Sequence, residues 1–252
     1  MLWGVSMKIV ATKISKIKLL LFSILISIFG ILSAGTVYIS TQNTVDASVN
    51  SAGYKTVIID AGHGGVDGGT SADDGTLEKN LNLEIALKLN NMLKSMGVET
   101  VLTRDTDISV HDDTAKTIRQ KKVSDLKNRL DVINNTDDSI FVSIHQNHFG
   151  DSKYSGTQIF YSKNNPQSHK LAECIRMPVI SYLQTDNTRE IKQSGTEIYL
   201  LYHAQSPSVM VECGFLSNQA EATKLKDEKY QQKIAFMITL GILDYFSKTE
   251  DT

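Results

Sequence analysis

The sequence predicts a single α/β domain, with a mostly parallel central sheet of about six strands and helices on both faces, behind an N-terminal hydrophobic segment. Three observations predict it. Short β-branched and apolar runs alternate with longer stretches of helical periodicity, the order that builds βαβ units. Several of the short runs are apolar throughout, as strands covered on both faces are. The chain beyond the hydrophobic segment also has the length of one domain with a sizeable core.

The elements follow in chain order. Residues 1–18 form a basic segment, with Lys8, Lys13, Lys16 and Lys18 and no acid. Leu19 to Ile39 then run without a charge. At about 1.5 Å per residue such a run can cross a bilayer core of roughly 30 Å, and the flanking lysines place the N-terminus inside. It reads as a transmembrane anchor or as a signal sequence, since Ser33-Ala34-Gly35 offers small residues for cleavage. Either way the rest of the chain is expected outside the cytoplasm. Residues 40–54 are polar and aperiodic, a linker, and the domain is expected to occupy 55–248.

Within that domain TVIID (56–60), ETVLT (99–103), SIFVSIH (139–145), GTQIFY (156–161), TEIYLL (196–201) and SVMVE (208–212) read as strands. The clearest helix runs from Leu77 to Met96, where Leu81, Ile85, Leu89, Met92 and Met96 recur at helical spacing and Gly97 supplies the stop. Further helices fit 123–134, 167–185 with a bend at Pro178, and 229–247.

Setting aside the four N-terminal lysines leaves 22 of the 26 basic residues against 28 acidic ones. A mildly acidic domain without a basic, aromatic-interleaved stretch is a poor partner for nucleic acid. Cys174 and Cys213 read as free thiols, because one pair in a domain of this size makes no disulfide framework.

The stretch VIIDAGHGGVDGG, residues 57–69, sets the functional question. Glycines cost backbone entropy on folding, so a cluster of them around His63 means that something comes close to the backbone. Phosphate is set aside: Asp67 stands where a dinucleotide loop needs its third glycine, and no G-K-[ST] follows. In parallel sheets ligands gather at the carboxyl ends of the strands. His63 follows the first strand, His145 ends the third, and Glu212 ends the last. Glu78 joins them in the first turn of the long helix, with Thr76 as its expected cap. A turn histidine, a first-turn glutamate and a core histidine are each ordinary; Glu212 is harder to dismiss. In VMVEC, alternation puts Val209, Val211 and Cys213 on one face and Met210, Glu212 and Gly214 on the other. A carboxylate thus ends an otherwise apolar strand, where it needs a partner or a function.

Five motifs in order, VIIDAGHGGVDGG, LEKNLNLEIALKLNNMLKSMGVETVLTRDTD, LKNRLDVIN, FVSIHQNHF with GTQIFY, and PSVMVECGFLSN, together resemble the zinc-dependent N-acetylmuramoyl-L-alanine amidases of the Amidase_3 family, over about residues 55–247. Within it, REIKQSGTEIYLLYHAQSPSVMVECGFLSN behind one hydrophobic segment resembles the branch that acts on spore-cortex peptidoglycan.

The resemblance implies one Zn2+ per chain held by His63, Glu78 and His145, and Glu212 as the catalytic glutamate. Two imidazoles and one carboxylate leave a fourth position for water, as in hydrolytic zinc sites. The implied bond joins the lactyl group of N-acetylmuramic acid to the L-alanine of the stem peptide. Asn147, expected on the strand face of His145, is a candidate substrate contact. Arg104 and Arg129 also fit the family pattern, although a helix-to-sheet salt bridge accounts for them equally. His111, His169 and His203 show no metal-like spacing. Peptidoglycan is the implied partner, with the membrane engaged through the N-terminal segment and an accessory protein serving targeting or activation. In a sporulating cell the domain would face the forespore intermembrane space. The alternatives are a wall-binding module that does not cut, and a zinc peptidase acting on stem peptides.

Overall fold

The computed structural model describes residues 56–250; the basic segment, the hydrophobic run and the linker expected at 1–54 lie outside the described residues. In chain order the elements are β1 (Thr56–Ala61), α1 (Glu78–Ser95), β2 (Glu99–Leu102), α2 (Ile118–Asn134), β3 (Ser139–Asn147), β4 (Gln158–Tyr161), α3 (Gln167–Pro178), β5 (Lys192–Gln193), α4 (Tyr199–His203), β6 (Ser208–Phe215), α5 (Gln219–Lys226) and α6 (Glu228–Glu250).

The strands form one six-stranded sheet in the order β2-β1-β3-β6-β4-β5. Strands β2, β1, β3 and β6 are mutually parallel, β4 runs antiparallel to β6, and β5 runs with β4. Alternation along the central strands explains why they are apolar throughout: each side feeds a different core. Val57, Ile59, Ile140, Val142, Val209 and Val211 pack with Leu81, Ile85 and Leu89 of α1, Leu171 and Ile175 of α3, and Ile234, Ile238 and Ile242 of α6. Ile58, Phe141 and Met210 point the other way, against Ile133 of α2 and Leu200 and Leu201 of α4. The expected two-faced α/β domain is therefore present.

Helix α1 ends as its sequence predicts. Gly97 adopts a φ of 79°, its N–H bonds the Lys94 carbonyl at 3.1 Å, and the Val98 N–H returns to the Leu93 carbonyl at 3.1 Å. A side chain resists that left-handed turn, and glycine does not. Its start differs from expectation. The N-cap is Leu77, without a side-chain cap, and not Thr76. The loop itself supplies the acceptors: the Glu78 N–H bonds the Thr70 carbonyl at 2.9 Å and the Lys79 N–H that of Gly68 at 3.2 Å. The glycine loop and the helix thus complete each other's hydrogen bonding.

Two other expectations are corrected, and the expected bend at Pro178 takes a specific form. TEIYLL is not a strand: its second half is the five-residue helix α4, whose Leu200 and Leu201 fill the second core, and the edge strand is Lys192–Gln193. Helix α2 begins five residues before 123, at Ile118, where Thr117 and Gln120 form a capping box. At Pro178 the α-helix gives way to a π-helical turn, Val179–Leu183, consistent with the missing proline N–H. Both cysteines are buried and free.

Candidate active site

The parallel strands bring the predicted residues to one edge of the sheet. His145 on β3 and Glu212 on β6 are Cα partners across the ladder, and His63 leaves β1 two residues past its end. The backbone of His63 itself is held at a φ of 62°, a conformation that non-glycine residues rarely take. Two buried arginines hold it there. Arg104 donates to the carbonyls of Ala61 at 2.8 Å, Gly62 at 3.0 Å and Lys79 at 2.7 Å. Arg129 donates to the carbonyls of Ala61 at 2.9 Å and His63 at 2.7 Å, and pairs with Asp60 at 2.5 Å and Asp125 at 2.6 Å. Of the two readings the sequence left open for these arginines, a structural pairing or a substrate contact, the geometry favours the first: at 3% and 2% exposure their donors go to the loop and the sheet.

Around this clamp the metal-ligating types converge. His63 Nε2 lies 3.2 Å from Glu78 Oε2, and His145 Nδ1 lies 2.9 Å from Glu78 Oε1. One ligand atom from each of the three falls within 4.8 Å of the others, the one such group among the described residues. Donors bound to one zinc at about 2.0–2.2 Å stand roughly 3.4 Å apart in a tetrahedron, so two imidazoles and a carboxylate so placed fit that ion. The glycines make the approach possible. A Cβ on Gly62 would run into the His145 ring, and one on Gly69 into Glu78 and His63.

Charge follows geometry. Burial alone would raise the Glu78 carboxyl, but hydrogen bonds from His145 and His63 hold it far below the usual carboxylate range. Burial alone would lower the His63 imidazole, yet its bonds to Asp67 and Glu78 raise it to about 9. A divalent cation entering such a cluster displaces protons of this kind. Glu212 behaves in the opposite way: burial pushes its carboxyl up to about 7, with His145 opposing the rise and Glu78 adding to it. One of its oxygens, Oε2, is buried without a hydrogen-bond partner among the described residues.

Asp67 was missed by sequence reasoning, which used it only to dismiss a nucleotide loop. Its carboxylate accepts from His63 Nδ1 at 3.0 Å and pairs with Lys122 of α2 at 2.8 Å, the position of an outer partner that would orient the imidazole if it ligates a metal. A carboxylate four residues from a histidine inside a glycine loop carries no periodic signal. Asn147 is half-buried at an irregularity: the register shifts between His145 and Asn147, so simple alternation does not relate their side chains. His111 bonds Ser109, and His169 and His203 stack on tyrosines; none belongs to the cluster.

A parallel-edge site with a two-histidine, one-carboxylate cluster beside a half-buried glutamate, one of whose oxygens is buried without a partner, has the make-up of a hydrolase equipped to use a metal. Comparison with known proteins gives the family. Residues 57–244 match the family described as Amidase_3, N-acetylmuramoyl-L-alanine amidase, and the chain belongs to it. It is accordingly an amidase, a hydrolase of the bond that family is named for. The germination-specific N-acetylmuramoyl-L-alanine amidase of Bacillus subtilis (strain 168) is 36% identical over 197 residues, covering 78% of this chain and 82% of the relative. The CwlD amidase from Clostridioides difficile, solved in complex with the GerS lipoprotein, is similar at 46% identity and a TM-score of 0.74, over 77% of this chain and 99% of that one. An N-acetylmuramoyl-L-alanine amidase from Clostridium difficile 630 is similar at 31% identity and a TM-score of 0.67, over 78% and 98%.

Proposed function

We propose that this protein is a zinc-dependent, exported amidase of the spore cortex, in which His63, Glu78 and His145 hold the ion and Glu212 moves the proton. The observation that carries the metal reading is the convergence of three ligand atoms within 4.8 Å beside a buried carboxylate. Bound there, zinc would supply a Lewis acid for the scissile carbonyl and lower the pKa of a water to roughly 7. The remaining work falls to the chain. Glu212 accepts a proton from the attacking water and delivers it to the L-alanine nitrogen as the bond to the lactyl carbonyl breaks. The products are a lactyl carboxylate and an L-alanine ammonium, the second proton of the water following the first to the nitrogen, with Glu212 returned to its starting state. Asp67 keeps the His63 ring turned, and the arginine clamp keeps its backbone in place. Asn147, half-buried at the site end of β3, is a substrate contact in this reading.

Similarity to the Bacillus germination-specific amidase and to the Clostridioides CwlD supports the cortex role. The lipoprotein bound to that CwlD supports an accessory protein for this chain too. The uncharged run from Leu19 to Ile39 supports attachment to the membrane with the domain 55–248 outside the cytoplasm. Digesting purified muropeptides with the zinc-loaded protein and locating the new amine tests the reaction. An amine on L-alanine is expected. A new amine inside the stem would make the protein a peptidase, and binding without any product would make it a wall-binding module.

A further inference from the structure

The metal cluster and Glu212 occupy the middle of the sheet edge, and the edge continues beyond them. Because β4 runs antiparallel to β6 and β5 runs with β4, both strands start at the edge where β1, β3 and β6 end. The loops entering them, 148–157 and 184–191, therefore flank Glu212 on the side away from His63. Between these loops and α5 lies a cavity of about 580 Å³ whose lining includes Lys153, Tyr154, Asn187, Arg189, Lys224 and Tyr230.

Arg189 is held on several sides in that cavity. Its guanidinium lies 4.6 Å from the centroid of the Phe215 ring and 5.7 Å from that of Tyr154. Its Nε donates to the Ser155 carbonyl at 2.7 Å, and its backbone N–H donates to Asn187 Oδ1 at 3.0 Å. The two terminal nitrogens have no protein acceptor among the described residues. Nearby charges do not use them. Glu221 is spent on the N–H groups of Gly156 at 2.9 Å and Phe215 at 3.0 Å, and Asp151 pairs with Lys153 at 2.8 Å. A guanidinium held against two rings, with its fork free, is preorganised for a carboxylate.

Its place along the edge sets which carboxylate. Phe215 stands three residues beyond Glu212 on β6, across the irregularity where two residues of β3 oppose three of β6, so at about 3.3 Å per regular residue its backbone lies roughly 7–10 Å from that of Glu212, and the fork packed on its ring lies on the order of 10 Å from the proton-moving group. An extended peptide covers that distance in two to three residues.

We propose that Arg189 determines specificity for the stem peptide by receiving one of its free carboxylates, two to three residues from the scissile amide. The proposal rests on the amidase reading and adds a direction: the peptide leaves Glu212 over the start of β4 and ends in the Arg189 cavity. Recognition then depends on the stem's charge as well as on its bond to the sugar.

The test compares two muropeptides differing only in whether the stem carboxylates are free or amidated. The zinc-loaded wild-type protein should favour the free form by about 10- to 100-fold in kcat/KM, the worth of a hydrogen-bonded charge pair. Arg189→Gln should raise KM for the free form by a similar factor, leave kcat and zinc content unchanged, and move KM for the amidated form by less than about twofold. Arg189→Lys, which keeps the charge and loses the fork, should fall between. Equal losses on both substrates, or none, would overturn the proposal. Should Arg189→Gln not fold, the wild-type comparison decides alone, and indifference to amidation overturns the proposal. A wild-type protein that cuts neither substrate overturns the amidase reading itself, and the subsite with it.

Discussion

His145 and Glu212 face each other as Cα partners across the parallel pair β3 and β6, at the ends of two buried central strands. An imidazole of the proposed ligand set and the carboxylate that would move the proton are thus spaced by a backbone ladder. Groups held by a rigid frame need little reorganisation when charge develops, which is how such sites gain rate.

Glu212→Gln tests that division of labour. The amide keeps the side chain's shape and can neither accept nor deliver the proton. Zinc content should remain at the wild-type level while kcat on muropeptides falls by about 10²–10⁴-fold or more, since one residue serves both proton transfers. A variant within about tenfold of wild type would remove Glu212 from this role, and loss of the ion would make it a ligand.

Gly62→Ala tests the cluster from the backbone side. The new methyl enters the space of the His145 ring, so His145 must move. Zinc affinity measured by chelator competition should drop, and activity should fall by about 10²-fold, the cost of a misplacement near 1 Å. His63→Ala, Glu78→Ala and His145→Ala should each lower zinc content more severely. The sheet core is built elsewhere, so circular dichroism should report a folded domain in all four; full zinc in any of the three ligand variants removes its residue from the ligand set.

The Asp60–Arg129 pair predicts an acid limb of stability. Burial alone would raise the Asp60 carboxyl, but Arg129, with the hydroxyls of Ser143 and Thr103, holds it down to about 2. The unfolded value is about 3.9, so the pair's contribution is full above roughly pH 4 and is lost as pH falls towards 2. Asp60→Asn should lose stability at pH 7, by less than the about 3–5 kcal/mol of a fully unpaired buried charge, because Asp125 still pairs with Arg129. Urea titrations at pH 2, 3, 4 and 7 should show a shallower acid dependence in the variant. An unchanged slope between pH 4 and 2 would mean that other carboxylates set the limb.

Deleting residues 1–40 should release a soluble domain that retains zinc-dependent amidase activity. Among the described residues no helix is long and apolar enough to cross a membrane. Fractionation of cells carrying the full and shortened chains checks this: both forms in the membrane fraction would show that something other than the run at 19–39 holds the domain there.

Elements with many residues in phase were legible beforehand. Helix α1 shows five apolar residues at helical spacing and a glycine stop, and the central strands show runs that only two-sided burial explains. TEIYLL misled because a five-residue helix is too short to reveal its period, and its β-branched and aromatic residues suit a strand as well. The true edge strand, Lys192–Gln193, is exposed and carries no apolar signal.

The site divides in the same way. Residue type and position within an element were local facts: His63 in its glycine loop, Glu78 in a first helical turn, and Glu212 ending an apolar strand whose alternation already isolated it. The chain by itself therefore determined the chemical inventory and, through the family resemblance, its expected use. The tertiary structure decided what each group does with its partners. Arg104 and Arg129 could have met substrate or the sheet, and burial sends their donors to backbone carbonyls and Asp60. Asp67 passed for a loop residue until the turn set its carboxylate against His63, while Arg189 drew no attention until two rings some distance away in sequence held it in place. The physical reason is range. Periodicity, caps and turn residues act over a few positions and leave a trace there, whereas a hydrogen bond between residues 66 positions apart, such as Arg129 to the His63 carbonyl, exists only once the sheet has brought them together.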